Sequence, residues 1–203
     1  MLLSGNGVYF LAGIEFYPIC TVKWDSYPFG EDRLKKYLKA YAFLLPIAIF
    51  LVVLDQLTKT WIRNNLAFNE LWMPWEWLAP YARLVNWHNT GAAFGIFQGM
   101  NGIFVVLAFV IIVLIFIYFP VIPEDDFFFR LALTLQMAGA AGNLIDRLYR
   151  GFVTDFISVG RFPVFNVADS CITMGVVVLL IGMWIEERKS QNESRIDNPS
   201  EPV

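Results

Sequence analysis

The chain has 203 residues, of which 57% are hydrophobic and 16% charged, with a net charge of -3; this departs from a soluble globular average and points to one domain-sized membrane protein. No basic stripe interleaves with aromatics, which speaks against a nucleic-acid partner. One histidine, His88, and two distant cysteines, Cys20 and Cys171, leave neither a His-rich metal site nor a disulfide framework, so the chemistry is expected to need no metal and no cofactor.

Residues 1–36 read as an N-terminal extension of unknown structure; its first 20 residues lack a basic n-region and a small-residue cleavage site, so no cleaved signal peptide is expected. Crossing a hydrocarbon core of roughly 30 Å takes about 20 mostly apolar residues. Four stretches qualify, and they predict an all-α integral membrane domain over residues 37–187 with four transmembrane helices. The first, residues 41–62, carries Pro46, Asp55 and Lys59. Between it and the second, residues 63–101 hold Trp72, Trp75, Trp77 and Trp87, a residue type that favours the headgroup layer. Residues 83–97 have short strand-like pieces around a glycine-containing turn, which predicts a small β-sheet on the outer membrane surface. The second span, residues 102–119, has no charge and stops before Pro120. The third, residues 127–148, has Arg130 at one end, able to snorkel, and a small-residue patch, Gly139-Ala140-Ala141-Gly142, that permits close helix contact. The fourth is residues 167–185, and the polar tail, residues 188–203, is expected to be disordered.

Orientation follows from the basic residues near the span ends. Arg33, Lys35, Lys36 and Lys39 precede the first span and Arg188 and Lys189 follow the fourth, so both termini are expected in the cytoplasm. Asp55, Lys59, Asp146, Arg147, Asp155 and Asp169 then all lie toward the outer side. Ionisable residues at such depths are costly and are functional candidates by default. Two carboxylates held close share a proton, so one can act as base toward water while the other hydrogen-bonds a carbonyl.

Each of these residues also has a structural reading. Asp55 and Lys59 stand at i, i+4 and can form an ion pair that supports the helix. Asp146 beside Arg147 can mark a membrane boundary. Asp169, three residues after Asn166, can serve a helix N-terminus, and Asp155 can be a solvated strand residue. His88 reads as a satisfied interfacial side chain and Cys171 as a packing residue.

The stretches Leu54-Asp55-Gln56-Leu57-Thr58-Lys59, Asn89-Thr90-Gly91-Ala92-Ala93-Phe94-Gly95, Gly142-Asn143-Leu144-Ile145-Asp146-Arg147, Val153-Thr154-Asp155-Phe156 and Phe165-Asn166-Val167-Ala168-Asp169-Ser170 together resemble lipoprotein signal peptidase, also called signal peptidase II. Five motifs in order, over about residues 40–186, make the resemblance far more specific than any single one. It implies a multi-pass aspartic endopeptidase of the bacterial cytoplasmic membrane, with its active site near the outer face. The implied substrate is a prolipoprotein whose cysteine carries a diacylglyceryl group, cut on the amino side of that cysteine. It further implies that Asp155 and Asp169 are the catalytic pair, and that Asn89, Gly91, Gly139, Asn143, Asp146, Arg147, Asn166 and Ala168 bind substrate or organise the site, with Asp55 and Lys59 contributing from the first helix. Membrane lipids are the other expected partners, and the chain is expected to act as a monomer. The extension departs from the family pattern, and Ile19 before Cys20 is too large for a good lipobox, so self-processing is not expected.

Two other classes compete. A proton-coupled transporter would use the same carboxylates as a relay, although they gather near one face. A noncatalytic chaperone would grip a partner helix with the aromatic outer segment and would tolerate loss of both aspartates.

Overall fold

The structure, a computed structural model, describes residues 9–11, 14–16, 31–73, 76–91 and 96–197. Cys20, Trp75, turn residues 92–95 and the end of the tail lie outside the described residues. The chain divides into two compact units, Met1–Lys36 and Tyr37–Val203. In the first, β1 (Tyr9–Leu11) and β2 (Ile14–Phe16) pair antiparallel, Leu11 opposite Ile14.

The second unit is built on four long helices, α1 (Glu31–Asn65, which begins in the first unit), α2 (Asn101–Tyr118), α3 (Phe127–Arg150) and α4 (Val167–Asp197). Among the described residues, three segments, Arg33–Asn65, Asn101–Val121 and Val167–Lys189, are long and apolar enough to cross a membrane. Ile49, Phe50, Leu57, Val106, Phe109 and Leu180 are among their exposed apolar side chains, a surface that water disfavours and hydrocarbon accepts. α3 has 24 residues, about 36 Å of helix at a 1.5 Å rise. It packs between α2 and α4 and turns inward a face that includes Arg130, Thr134, Asn143 and Asp146.

Local chemistry explains the helix ends. α2 gives way to a single 3-10 turn at Phe119–Val121, because Pro120 lacks the N–H that would continue the helix. α3 starts where the Asp126 carboxylate accepts from Phe129 N at 3.1 Å. It stops at Gly151, whose φ of 78° is the left-handed conformation open to glycine at a helix C-terminus. α4 continues to Asp197, past the expected end at residue 185 and through most of the segment read as a disordered tail. Helical periodicity does not need apolar residues, so hydropathy marks only where the lipid-facing part ends.

A three-stranded antiparallel sheet, in the order β3 (Leu71–Trp72), β4 (Ala82–Asn89) and β5 (Val153–Val159), joins the helices at one end of the bundle. Of the strand-like pieces expected within residues 83–97, the described residues carry β4, which stops at Asn89, and a turn at residues 96–99. The principal partner of β4 is β5, with Trp87 opposite Asp155 and Asn89 opposite Val153. Alternation identifies a strand but not its neighbour, which depends on how α3 returns the chain.

Two apolar clusters close the ends of this unit. Leu44, Ile115, Phe119 and Ile122 hold one end, and Ile62, Leu66 and Phe156 lock α1 to the sheet at the other. Arg130 does not snorkel outward. It is 5% exposed, its guanidinium 5.1 Å from the Phe43 ring centroid and 5.2 Å from that of Phe119.

Candidate active site

The sheet end of the bundle gathers the polar residues, and Asn166 is their junction. It immediately precedes α4, and its Oδ1 accepts from Asp169 N at 2.8 Å while Asp169 Oδ2 accepts from Asn166 N at 3.3 Å. This reciprocal cap satisfies two donors that a helix N-terminus leaves open. The structural reading of Asp169 therefore holds, and it does not compete with a chemical one. The Asn166 amide also reaches beyond the cap, for Nδ2 donates to Asp155 Oδ1 at 2.6 Å and to Asn143 Oδ1 at 3.2 Å. One side chain thus ties β5, α3 and α4 together.

Asp155 is 1% exposed, so it is not a solvated strand residue. Its other oxygen accepts from Asn89 Nδ2 at 3.0 Å. Burial first, and the nearby Asp169 carboxylate second, push Asp155 up to about 7, against the lowering effect of its hydrogen bonds and of Lys59. Asp169 is half-buried and accepts from Asn143 Nδ2 at 2.8 Å. Two carboxylates therefore share one asparagine, one enclosed and the other open to a cavity.

Behind them lies a buried charge network. Lys59 Nζ stands 2.8 Å from Asp55 Oδ2, 3.0 Å from Asn143 Oδ1 and 3.4 Å from Asp146 Oδ2. The i, i+4 pair forms as read, but it also reaches α3 and α4, because Asp55 Oδ1 accepts from Ala168 N at 2.9 Å. Asp146 is not a solvated charge at a helix end. It is buried, and its carboxylate accepts from Thr154 N at 3.0 Å and from Arg63 at 3.4 Å. Asp146 so fixes the backbone next to Asp155.

Gly139 and Gly142 permit this convergence. A Cβ on Gly139 would stand 2.4 Å from Ala168 O and 2.6 Å from Ile172 Cγ1, and one on Gly142 would stand 2.6 Å from Asp55 Oδ2. Gly139 and Ala168 accordingly sit in the α3–α4 contact beside the carboxylates.

A cavity of about 480 Å³ opens beside Asp169. Asn89, Gly91, Asn143 and Arg147 line its polar side, and Phe162, Ile172 and Met174 are on its apolar side. Arg147 Nη2 donates to Gly91 O at 3.2 Å, and the guanidinium lies 5.0 Å from the Phe104 ring centroid. Its buried Nε has no hydrogen-bond partner among the described residues.

Three contributors are not among the residues the sequence singles out. Arg63 donates to Thr154 Oγ1 at 3.0 Å as well as to Asp146, and Gln56 Nε2 donates to Gly142 O at 3.0 Å. Arg63 does leave a signal, since Asp55, Lys59 and Arg63 follow a stride of four along one helix face. Gln56 and Thr154 lie within two of the motif stretches but follow no such stride. His88 is a packing residue, stacked with Phe152 at 3.8 Å and tilted against Phe68 at 4.7 Å. Burial, followed by the Arg63 charge, lowers its pKa. Cys171 is buried within α4.

Residues 47–185 match the family described as signal peptidase (SPase) II. The chain is 38% identical to the lipoprotein signal peptidase of Streptococcus pneumoniae, over 74% of this chain and 97% of that protein. It is 39% identical to that of Moorella thermoacetica, over 68% and 89% of the two chains. Among solved structures it resembles a bacterial membrane enzyme determined by the in meso method at 2.3 Å, with a TM-score of 0.61 and 29% identity over 78% of this chain and 93% of that one. Another, at 1.9 Å, gives a TM-score of 0.60 and 32% identity over 68% and 90%.

Proposed function

The chain belongs to the signal peptidase II family, and we propose that it is a membrane aspartic endopeptidase that removes signal peptides from prolipoproteins, with Asp155 and Asp169 as its catalytic pair. The observation that carries the site assignment is Asn166, which bonds both carboxylates, of which Asp169 lines a cavity. That cavity suits an amphipathic substrate. The peptide lies along Asn89, Asn143 and Arg147, and the diacylglyceryl group of the lipidated cysteine lies toward Ile172 and Met174.

The two environments divide the labour. Asp169, which lines the cavity, accepts a proton from water as the water oxygen attacks the scissile carbonyl carbon. Asp155, held near neutral pH by burial, gives its proton to the carbonyl oxygen. As the tetrahedral species collapses, Asp155 recovers that proton and Asp169 passes the other to the leaving amine, so the pair returns to its starting state. The Arg147 guanidinium, which lines the cavity, holds a peptide carbonyl.

In the membrane, α1 to α4 all cross, α3 being shielded by its neighbours. The sheet and the exposed Trp72, Trp77 and Trp87 lie at the outer surface. Both termini are cytoplasmic, a reading that the basic residues at 33–39 and 188–189 support, and residues 1–36 form an appendage to the peptidase domain over residues 37–187.

The test is to incubate the purified full chain with a lipidated and an unlipidated prolipoprotein. Cleavage of the lipidated form only, lost in Asp155→Asn and in Asp169→Asn, is the expected result. Turnover retained in both variants would remove the pair from the mechanism.

A further inference from the structure

Arg130 takes no part in this chemistry, and its surroundings are unusual for a buried charge. Besides the Phe43 and Phe119 rings, it lines a cavity of about 410 Å³ with Lys39, Ala42, Glu124 and Phe127, at the end of the bundle opposite the sheet. Its Nε, buried, has no hydrogen-bond partner among the described residues. Aromatic faces attract a guanidinium, but they accept none of its in-plane N–H donors in the way an oxyanion does.

The carboxylates nearby are otherwise engaged. Glu124 pairs with Lys39 at 3.4 Å, a contact between two well-exposed side chains that water screens. Asp126 caps α3, and Asp125 is exposed and outside the cavity lining. A buried cation without an anionic partner is costly, so a cavity lined by both Arg130 and Lys39 is suited to an incoming anion.

We propose that this cavity binds the phosphate of an anionic phospholipid head group, with Arg130 donating from its floor and Lys39 from its rim after turning away from Glu124. One helical heptad along α1 from Ala42 and Phe43 stand Ile49 and Phe50, which are exposed and offer a track for the acyl chains. The assignment rests on the membrane orientation proposed above, which puts this end at the cytoplasmic leaflet, where anionic lipids collect and basic pockets between helices hold their head groups.

Native mass spectrometry of the purified full chain in neutral detergent, titrated with short-chain phosphatidylglycerol or phosphatidylcholine, reads the site without any peptidase assay. Phosphatidylglycerol is expected to be retained preferentially, because choline would bring a cation toward Lys39. Losing one charge-assisted contact in Arg130→Gln or Lys39→Gln should weaken that retention about tenfold or more. Glu124→Gln, which removes the competing carboxylate, should strengthen it. Lys39 and Glu124 are exposed, so their variants remain informative if Arg130→Gln fails to fold. Equal retention of the two lipids, or an unchanged preference in Lys39→Gln and Glu124→Gln, overturns the proposal. Displacement of phosphatidylglycerol by inorganic phosphate at equal concentration overturns the lipid assignment in favour of a free anion. Prolipoprotein cleavage by the same preparation is scored separately, so a failed peptidase reading and a failed lipid site are distinguishable.

Discussion

Replacing Asn166 by Ala removes two bonds from its amide, to Asp155 and Asn143, and one to its carbonyl from Asp169 N. The lost cap costs about 1 kcal/mol of helix stability. The 2.6 Å bond to Asp155 favours the ionised carboxylate, and such bonds to charged groups contribute about 1.5–3 kcal/mol. At about 1.4 kcal/mol per pH unit, its loss raises Asp155 by roughly one to two pH units. Because Asp155 must be protonated to serve the carbonyl oxygen, activity is lost as pH rises through its pKa. The alkaline limb of the rate profile should therefore begin near 7 in the unaltered chain and move upward in Asn166→Ala, while the plateau falls because Asp169 is less well held. Asn166→Ser separates the effects, since its hydroxyl can cap α4 but is too short to reach Asp155: stability recovers and the limb stays displaced. Initial rates on a lipidated prolipoprotein across pH, with thermal unfolding of each variant in detergent, provide the assay. An alkaline limb that stays in place, or moves downward, would refute the assignment of the proton to Asp155.

Lys59→Met should leave Asp55 and Asp146 buried without their ammonium, at a cost of about 3–5 kcal/mol; an unchanged unfolding midpoint would contradict the network. Gly139→Ala should strain the α3–α4 contact by about 1–3 kcal/mol, because the new methyl meets a backbone carbonyl that cannot move aside cheaply, and the displaced Ala168 should lower turnover by shifting Asp169. A cysteine at Trp77, which is 71% exposed, in a chain whose Cys20 and Cys171 are Ser, should react with an impermeant reagent from the outer side of intact cells. Labelling only after the membrane is opened would invert the topology.

Much of the candidate site is legible in the sequence because its residue types are expensive where they occur. Asp55, Lys59, Asp146 and Arg147 stand out in spans that hydrocarbon would otherwise fill, and the Asn166-to-Asp169 spacing reads as a helix cap from the chain alone. What that spacing does not convey is that the same asparagine also reaches Asp155. A cap is a contact between near neighbours in the chain, whereas its other bond depends on β5 being carried to that point by α3. Asp146 misleads for the same reason, since a charge at a helix end is cheap in water and its burial follows only from the strand and α1 closing over it.

Local physics governs the apolar runs, the stop before Pro120 and the small residues at 139–142, and these, with the motifs that place the chain in its family, are legible in the chain. Only the folded chain determines which strand pairs with β4, that Asp155 is enclosed while Asp169 meets a cavity, and that Arg130 turns inward against the Phe43 and Phe119 rings. Periodicity and capping act over a few neighbouring residues and so leave their mark in the chain. Burial and strand pairing are set by segments far apart in the chain, and the electrostatic difference between two chemically identical aspartates arises only when those segments meet.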